Sequence, residues 1–444
     1  MVAVKIDAPR QAAFDLLRLV RDEGAYANLA LSQVLHKYAL NGRDAAFTVE
    51  VAYGVLRNQL LYDSNIAECA TREISSIEPE VLDVLRMGAH QVIAMRVPDH
   101  AAVDSSVNLV RSVSSGGQAQ ARAGFVNAVL RCIIRKNEAG DFDPESNTEL
   151  DLSVRYSHPQ WIIDSYRESL SHCGRSESEI EEVLRANNEP TKPVVAVRNG
   201  DQAIPGTSPG RWRKQARILD SVIPSDLFTD HDSSVIVQDE GSQLVAQAFL
   251  NAKPEGRESA WLDMCAGPGG KAALISDHVP PGVTFTAVEL HEHRARLIKK
   301  IVQSATSVIV SDARDRPWGN LFFDRILVDA PCTGLGALRR RPEARWRKSE
   351  SDLGGLTTLQ EELLNTALDS VRSGGVVCYV TCSPHVDETT ELVNTVLSER
   401  TDSTLLDARP LFEGVVDLGP GPTVQLWPHV HGTDAMFFAL IGRK

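Results

Sequence analysis

The chain has 444 residues, of which 43% are hydrophobic and 24% charged, and it carries a formal net charge of −13 at pH 7. This length predicts two or three domains with substantial cores. Neither a signal peptide nor an apolar run of about 18 residues is visible, which predicts a cytoplasmic protein that does not span a membrane. Seven cysteines, an odd number scattered over the chain, argue against a disulfide framework and leave thiols available for chemistry.

The negative charge is unevenly distributed. Residues 137–183 contain twelve acids and three bases and residues 350–444 contain fourteen acids and five bases, so each segment carries −9 and the rest sums to +5. One basic cluster is interpreted as a solvated face; it comprises Arg211, Arg213, Lys214 and Arg217. A second follows a candidate catalytic loop and is predicted to contact a phosphate backbone; it comprises Arg339, Arg340, Arg341, Arg345, Arg347 and Lys348.

Residues 1–140 are predicted to form an all-α domain without a catalytic constellation. Apolar side chains recur at helical spacing in four segments, which are Arg10–Arg21, Asp44–Leu61, Val81–Met95 and Ala123–Lys136. Cys69 and Cys132 fall in helical contexts and are predicted to be core thiols. The histidines of this region lack a metal-ligand spacing with any cysteine and are interpreted as structural; they are His36, His90 and His100.

Residues 141–232 are predicted to contain a linker and a small α/β subdomain. The acidic, serine-rich stretch from Asn137 to about Leu152 is typical of an interdomain linker. Pro159 is well placed for a helix start, and the β-branched run Pro193–Arg198 predicts a strand. From Ser233 the pattern changes from strand to helix, which we expect to pack beside the main sheet of a third domain over residues 233–444.

The stretch Ala260–Lys271 reads A-W-L-D-M-C-A-G-P-G-G-K and predicts a strand that leads into a ligand loop. Its glycines let the backbone approach a ligand closely before a helix begins. The spacing matches neither the dinucleotide pattern G-x-G-x-x-G nor the phosphate loop G-x-x-x-x-G-K-[ST]. The loop therefore predicts a nucleotide-like ligand without a polyphosphate.

Beyond this loop strands and helices alternate, which predicts a doubly wound sheet. Four successive strands end in an acid: Asp263, Glu289, Asp312 and Asp329. Any one of them could be a helix cap, but four beside a glycine-rich loop are better explained as one ligand site. Glu289 follows Gly269 by twenty residues, near the offset at which an acid binds ribose hydroxyls. The acids suit nucleoside donors and a cation such as a sulfonium.

Two cysteines are expected at the same edge of the sheet. Cys332 follows the strand that ends in Asp329, and Cys382 follows the strand Val376–Val380. A thiol must become a thiolate before it can attack carbon. A metal site is disfavoured because Cys332 has no second Cys or His two to four residues away, although two buried structural thiols remain an alternative for either cysteine alone.

Three motifs together resemble the RNA cytosine-5 methyltransferases that use S-adenosylmethionine: L-D-M-C-A-G-P-G-G-K, V-D-A-P-C-T-G and Y-V-T-C-S-P. With the helical amino-terminal region, the chain resembles the bacterial 16S ribosomal RNA methyltransferases of the Sun/Fmu (RsmB) type, whose leading domain is similar to the antitermination factor NusB. The resemblance implies a Rossmann-like class I methyltransferase domain, α/β in class, preceded by an all-α NusB-like domain and a small α/β linker subdomain.

The resemblance also implies the roles of particular residues. Cys382 would attack the cytosine, Cys332 would assist product release, and Asp329 would bind the N3/N4 edge of the base. Glu289 would hold the ribose and Asp312 would contact the adenine. The implied cofactor-binding set is Cys265, Ala266, Gly267, Pro268, Gly269, Gly270, Lys271, Glu289, Asp312 and Asp329. The implied RNA-binding set is Arg339, Arg340, Arg341, Arg345 and Trp346.

The sequence departs from the family pattern at two places, because Gly267 stands where many relatives have Ala, and Leu335-Gly336-Ala337 replaces small polar residues. Expected partners are S-adenosylmethionine and RNA, with 16S ribosomal RNA the leading substrate, and no membrane or metal; a monomer suffices. Two alternatives stay open: the same chemistry on tRNA or another RNA, and a non-catalytic RNA-binding factor in ribosome assembly.

Overall fold

The computed structural model describes residues 7–95, 97–113, 118–140, 150–198, 200, 204–220 and 234–444. The chain divides into two compact units: a helical unit of residues 1–163 and 341–347, and a sheet unit of residues 164–340 and 348–444. The predicted domain boundaries near residues 140 and 232 stay predictions. Most of the predicted linker, residues 141–149, lies outside the described residues.

The helical unit packs amphipathic helices around one apolar core. Its helices before residue 160 are α1 (Ala8–Glu23), α2 (Ala27–Lys37), α3 (Gly42–Arg57), α4 (Gln59–Ala70), α5 (Pro79–Ile93), α6 (Asp99–Val113), α7 (Ala119–Ala139) and α8 (Leu152–Arg155). Proline lies in the first turn of α1 and of α5, where its missing N–H has no helical acceptor. Phe14, Val84 and Leu130 are buried in this core, and they pack α1, α5 and α7 together.

The four predicted helical segments are confirmed, with one break and two omissions. The segment Asp44–Leu61 is interrupted at Asn58, which separates α3 from α4. The Asn58 side chain donates to the carbonyl oxygen of Gly54 at 3.1 Å, a local hydrogen bond that competes with helix continuation. The sequence analysis did not predict α2 and α6.

The prediction of free core thiols at Cys69 and Cys132 was wrong. Cys69 in α4 and Cys132 in α7 form a disulfide, with their Cα atoms 5.7 Å apart. The two residues are separated by 63 positions, so only the packing of α4 against α7 brings them together. Spacing along the chain carries no signal of such a pair.

The sheet unit contains most of α9 (Gln160–His172), which the unit boundary crosses, and the elements that follow. They are α10 (Ile180–Asn188), β1 (Val194–Val197), β2 (Thr207–Pro209), β3 (Ala216–Leu219), β4 (Val235–Val237), α11 (Glu240–Asn251), β5 (Ala260–Asp263), α12 (Gly270–Ser276), β6 (Thr284–Glu289), α13 (Glu292–Ile301), β7 (Ser307–Val310), β8 (Phe323–Asp329), the short helix α14 (Ala344–Arg347, which belongs to the helical unit), α15 (Leu353–Ser370), β9 (Val371–Thr381), α16 (Thr390–Ser398), β10 (Ser403–Leu406), β11 (Val424–Gln425), α17 (Pro428–His431) and β12 (Phe437–Arg443).

The main sheet has the strand order β10-β12-β9-β8-β5-β6-β7, and β11 pairs with β12. The strands β5 to β9 are parallel, whereas β12 is antiparallel to both of its neighbours in this order. Along β9, side chains alternate between two apolar clusters, with Cys378 in one and Tyr379 in the other. Both faces are therefore covered, as expected of a doubly wound sheet. The predicted strand Pro193–Arg198 is confirmed as β1, which lies in a separate antiparallel sheet ordered β2-β3-β1-β4.

Residues 341–347 leave the sheet unit and complete the core of the helical unit. Arg345 is fully buried, and its Nη1 donates to the carbonyl oxygens of Arg57 at 2.9 Å and Ser157 at 3.0 Å. Trp346 donates its indole N–H to the carbonyl oxygen of Leu56 at 2.6 Å and packs against the apolar core. These contacts satisfy the carbonyl oxygens of Leu56 and Arg57 at the end of α3 and that of Ser157 after α8.

We expect Arg345→Ala to destabilise the helical unit, because two buried carbonyl groups would lose their donor. The free energy of unfolding should fall by about 2–5 kcal/mol, measured by urea denaturation followed by circular dichroism. Arg347→Ala is the matched control, since Arg347 is exposed and stacks on Tyr26 with its guanidinium 4.0 Å from the ring centre. It should cost less than about 1 kcal/mol. Equal losses in the two variants would contradict a structural role for Arg345.

Candidate active site

The carboxyl ends of the parallel strands bring the predicted acids to one edge of the sheet. Asp263 pairs with Ala287 of β6 and Leu327 of β8, and Asp329 pairs with Val380 of β9. β5 is the strand at which the chain order reverses, because β6 lies on one side of it and β8 on the other. Open α/β sheets bind ligands in the crevice at such a point.

The loop from Cys265 to Lys271 is held close to β6 and its following turn. Ala266 donates its N–H to the carbonyl oxygen of Val288 at 2.9 Å, and Arg294 donates to the carbonyl oxygen of Gly267 at 2.7 Å. A Cβ on Gly267 would lie 1.9 Å from Glu289 Oε2. An alanine at position 267 would therefore displace the end of the Glu289 side chain from its present position. Gly269, with φ of 114°, begins α12 in a conformation that favours glycine.

Asp263 and Glu289 are buried in the crevice. Asp263 Oδ1 accepts a hydrogen bond from the N–H of Cys265 at 3.3 Å, whereas Oδ2 has no hydrogen-bond partner within the described residues. Burial, and next the negative charge of Asp329, raise the pKa of Asp263 to about 8. Glu289 accepts from the N–H of His291 at 2.9 Å. Oδ2 of Asp263 is thus not used by the following turn, whereas Oε2 of Glu289 lies 3.7 Å from the guanidinium of Arg294.

Asp312 lies at the same edge but is engaged locally. It accepts from the N–H of Arg314 at 2.9 Å and forms an ion pair with the guanidinium of the same residue at 2.6 Å. The hydrogen bond from the Arg314 side chain lowers the pKa of Asp312. Asp312 therefore caps the short helical turn that follows β7, which is a common role of an Asp after a strand. The predicted contact of Asp312 with the adenine stays a prediction.

Lys271 and Asp329 form an ion pair in the centre of the crevice, with Nζ 2.7 Å from Oδ2. Burial by itself would lower the pKa of Lys271, but the charge of Asp329 outweighs it and the net pKa is raised. Lys271 therefore stays protonated and holds the Asp329 carboxylate at the end of β8. The sequence identified both residues but not that they pair.

The two cysteines meet at the end of β8 and β9. Their Sγ atoms lie 3.4 Å apart. The hydrogen bond to Cys382, together with burial, raises the pKa of the Cys332 thiol well above its usual range. Negative charge on Cys382 contributes to the raised pKa of both Lys271 and Arg340, behind their carboxylate partners. Those two cations therefore stabilise a thiolate on Cys382, whereas Cys332 is favoured as the neutral thiol.

The loop after Cys332 packs directly against the Cys382 loop. Gly336 donates its N–H to the carbonyl oxygen of Cys382 at 2.9 Å and accepts from the N–H of Ala435 at 2.9 Å. A Cβ on Gly336 would lie 2.0 Å from the carbonyl oxygen of Ala435. The second departure from the family pattern thus contains a glycine that the close approach of three backbone segments requires.

The arginine-rich run has mostly intramolecular partners. Arg339 donates to the carbonyl oxygen of Gly432 at 2.8 Å, and Arg340 forms an ion pair with Asp434. Arg339 and Arg345 are buried, so the structure does not offer either of them to RNA. The predicted RNA contacts of Arg340, Arg341 and Trp346 stay predictions. Sequence reasoning missed the partner Asp434, which lies 94 residues beyond Arg340, and it also missed the buried carboxylate Glu388.

Comparison with known proteins identifies the family. Residues 248–442 match the family model described as 16S rRNA methyltransferase RsmB/F, and residues 7–135 match that of the NusB family. A protein of Mycobacterium tuberculosis (strain H37Rv) that is named as a methyltransferase is 43% identical over 455 residues, which cover 99% of this chain and 97% of that protein. The chain belongs to the RsmB/F methyltransferase family.

Two further relatives extend this result. Ribosomal RNA small subunit methyltransferase B of Vibrio cholerae is 28% identical over 454 residues, covering 98% of this chain and 97% of its own length. The crystal structure of PH0851 superposes with a TM-score of 0.78 at 21% identity and covers 98% of both chains, which shows the same fold. The predicted resemblance, including the NusB-like leading domain, is confirmed.

Methyltransferases of this family use S-adenosylmethionine, and the crevice fits that cofactor. The carboxyl groups that line the crevice suit a cationic ligand, and Oδ2 of Asp263 accepts no hydrogen bond from the described residues. The absent side chain of Gly267 lets the Glu289 carboxyl approach the loop. Within the described ranges, no group of three or more His, Cys, Asp or Glu side chains could hold a metal ion. The same part of the chain contains no helix of sufficient length and apolarity to cross a bilayer.

We expect Asp263 to make the protein less stable as pH rises. Its folded-state pKa of about 8 lies above the ordinary value of 3.8, so between these values the folded protein retains a proton that the unfolded chain has released. The contribution of the Asp263 carboxyl to the free energy of unfolding is therefore fully present at low pH and is lost as pH rises towards 8. Asp263→Asn should remove that loss, which we place on the order of 3 kcal/mol.

The measurement is the free energy of unfolding in urea at pH 5 and pH 8. The quantity that matters is the difference between the two pH values, compared for the wild type and Asp263→Asn. Asp315→Asn is the control, because Asp315 is an exposed carboxylate near the same edge of the sheet. A pH dependence in Asp263→Asn that parallels the wild type would rule out a raised pKa for Asp263.

Proposed function

We propose that this chain methylates C5 of a specific cytidine in 16S ribosomal RNA through a covalent bond between Cys382 Sγ and C6 of the base. The observation that carries this proposal is the pair of thiols 3.4 Å apart, at the carboxyl edge of the sheet of an RsmB/F methyltransferase. A methyltransferase that only bound its substrate and held the cofactor would not require two thiols in contact. The names of the full-length relatives support the RNA substrate.

The cofactor would lie against the glycine loop. Residues 265–271 would line the path of its methionine and adenosine parts, Glu289 would bind the ribose hydroxyls, and Asp312 would contact the adenine. A positively charged group of the cofactor beside Asp263 would lower the pKa of that carboxyl and favour its ionised form. The cofactor supplies a methyl group on a sulfonium, and the acids at this edge favour that positive charge over a polyphosphate.

Cytosine C5 is too weak a nucleophile to accept a methyl group directly. Attack by the Cys382 thiolate forms the S–C6 bond and moves the electron pair of the C5–C6 double bond towards C5 and the ring. Asp329, held by Lys271 at 2.7 Å, would hydrogen-bond the N3/N4 edge. By sharing or donating a proton at N3, it would stabilise the negative charge that develops on the ring. C5 then takes the methyl group, and the electron pair of the broken bond remains on the cofactor's sulfur.

Release reverses the addition. A base removes the proton from C5, its electron pair restores the C5–C6 double bond, and Cys382 leaves as a thiolate. Cys332 lies in contact with that sulfur and is protonated at neutral pH by the effects described above, so it is placed to assist this step. Because the cysteine must reach one face of the base and the methyl group the other, the cytosine has to be unstacked. We place the activity in the cytoplasm, in a monomer.

The two cysteine variants should fail differently. We expect Cys382→Ala to lower methylation by at least about 10⁴-fold with cofactor affinity preserved, because the bond to C6 cannot form. Cys332→Ala should instead accumulate a covalent protein–RNA adduct, which survives denaturation and appears as a band of reduced mobility in denaturing electrophoresis. Cys378→Ser is the control thiol, since Cys378 lies inside β9. Loss of methylation without an adduct in both variants would refute the separate roles.

The function itself is tested by incubating the purified protein with labelled S-adenosylmethionine and unmodified 16S ribosomal RNA. We expect label in 5-methylcytidine at one site, identified by nucleoside analysis and mapping. Label in 5-methylcytidine of tRNA only would support cytosine methylation but would identify tRNA, rather than 16S ribosomal RNA, as the substrate. Binding of RNA with no label in any RNA would favour a ribosome-assembly role and overturn the proposal.

A further inference from the structure

A buried carboxylate holds the loop that carries Cys332. Glu388 lies six residues after Cys382 and is fully buried. Its Oε1 accepts a hydrogen bond from the N–H of Thr333 at 2.8 Å, and its Oε2 accepts one from the Thr333 hydroxyl. Since Thr333 directly follows Cys332, the carboxylate binds the loop through both its backbone and its side chain.

Gln360, in α15, holds the other side of Cys332. Its Nε2 donates to Glu388 Oε1 at 3.0 Å and to the carbonyl oxygen of Pro331 at 2.8 Å. The residues immediately before and after Cys332 are therefore both fixed to the same buried pair. Gln360 and Thr333 are themselves buried, so water does not compete for these hydrogen bonds.

The network also reaches the loop that carries Cys382. The Ser383 hydroxyl lies 3.0 Å from the Thr333 hydroxyl oxygen, and because Thr333 gives its only hydroxyl proton to Glu388, Ser383 is the donor in this contact. Tyr379 in β9 donates to the backbone carbonyl oxygen of Glu388 at 3.0 Å. Thr333 and Gln360 thus bind the Glu388 carboxylate directly, and Ser383, which follows Cys382, joins the same network through Thr333.

We propose that Glu388 is a positioning residue which, through Thr333 and Gln360, sets the distance between the Cys332 and Cys382 thiols and thereby controls release of the methylated product. This inference rests on the proposed function, because it assigns Glu388 to the release step of that reaction. Glu388 has no contact with the base or the cofactor in this account, and it acts only through the two loops.

The charge of Glu388 has a second effect. The donors that bind it here are neutral, so its negative charge is only partly compensated. Behind the hydrogen bond to Cys382 and burial, this charge contributes to the raised pKa of Cys332. Glu388 thereby helps to distinguish two chemically identical thiols, because it disfavours a thiolate on Cys332 while Lys271 and Arg340 favour one on Cys382.

Positioning and charge can be separated by three substitutions. Thr333→Val and Gln360→Met both keep the Glu388 carboxylate. The first removes the hydrogen bond from the Thr333 hydroxyl, and the second removes the hydrogen bonds from the Gln360 amide. Glu388→Gln keeps the size, can still accept from the Thr333 N–H, and removes the charge. Glu391→Gln is the matched control, because Glu391 lies on the same segment with 54% of its side chain exposed, and its carboxylate lies 3.9 Å from His172 rather than against a cysteine loop.

The first measurement needs neither RNA nor cofactor. The full chain is equilibrated near pH 7 in glutathione redox buffers, and the Cys332–Cys382 disulfide is quantified by peptide mass spectrometry, which gives the effective concentration of one thiol at the other. We expect Thr333→Val and Gln360→Met to lower it at least about fivefold. Glu388→Gln keeps one of the two acceptor oxygens and should lower it by a smaller factor, about two- to fivefold, whereas Glu391→Gln should stay within about twofold of the wild type.

The second measurement is steady-state methylation of 16S ribosomal RNA. The two positioning variants should lower kcat about 10- to 100-fold with little change in KM for the cofactor, and the covalent protein–RNA adduct should accumulate. Glu388→Gln should retain more activity and shift the pH profile of kcat to lower pH, because removal of the negative charge lowers the pKa of Cys332.

An unchanged effective concentration in Thr333→Val and Gln360→Met would overturn the proposal, whatever their activity. A lower melting temperature and weaker cofactor binding with an unchanged effective concentration would show a merely structural role and would also overturn it. If the wild type methylates no RNA while the effective concentration falls as expected, positioning by Glu388 stands and the proposed function fails.

Discussion

The parallel pairing of β8 with β5 on one side and β9 on the other is the constraint on which the site depends. Hydrogen bonds between these strands place their last residues, Asp263, Asp329 and Thr381, at one edge of the sheet. The cysteines follow at once, three residues after Asp329 in one case and directly after β9 in the other. A slip of register in either ladder would separate the thiols and move the acids to different depths.

Burial at that edge then determines how charge is distributed. The crevice holds more carboxylates than its polar contacts can satisfy, so protonation and pairing relieve the excess: Asp263 keeps a proton at neutral pH, and Asp329 is paired with Lys271. The cation Arg340 is likewise paired with Asp434. The two thiols, identical in chemistry, are distinguished by which charges face them. Reactivity in this site is therefore a property of the surroundings rather than of the residue type.

The basic run after the Cys332 loop shows that a charge pattern in the sequence does not establish exposure of the side chains. In the sequence, residues 339–348 look like an exposed strip for phosphates. In the structure the chain leaves the sheet unit after Arg340 and contributes residues 341–347 to the core of the helical unit, where Arg345 satisfies backbone carbonyls and Trp346 packs against apolar side chains. A guanidinium has five donors and suits such interior carbonyl clusters as well as phosphates.

The sequence by itself determined the helical and α/β organisation, the glycine loop, the four acids at strand ends and the two cysteines, because periodicity and strand-end position are local properties that survive without knowledge of packing. It did not determine pairings between distant segments. Three such pairings join residues more than fifty positions apart. They are the disulfide between Cys69 and Cys132, the ion pair of Lys271 with Asp329, and the hydrogen bonds of Thr333 to Glu388. Only the tertiary structure decided these, because which polar groups share a buried space depends on how helices and strands pack, and no spacing along the chain encodes that.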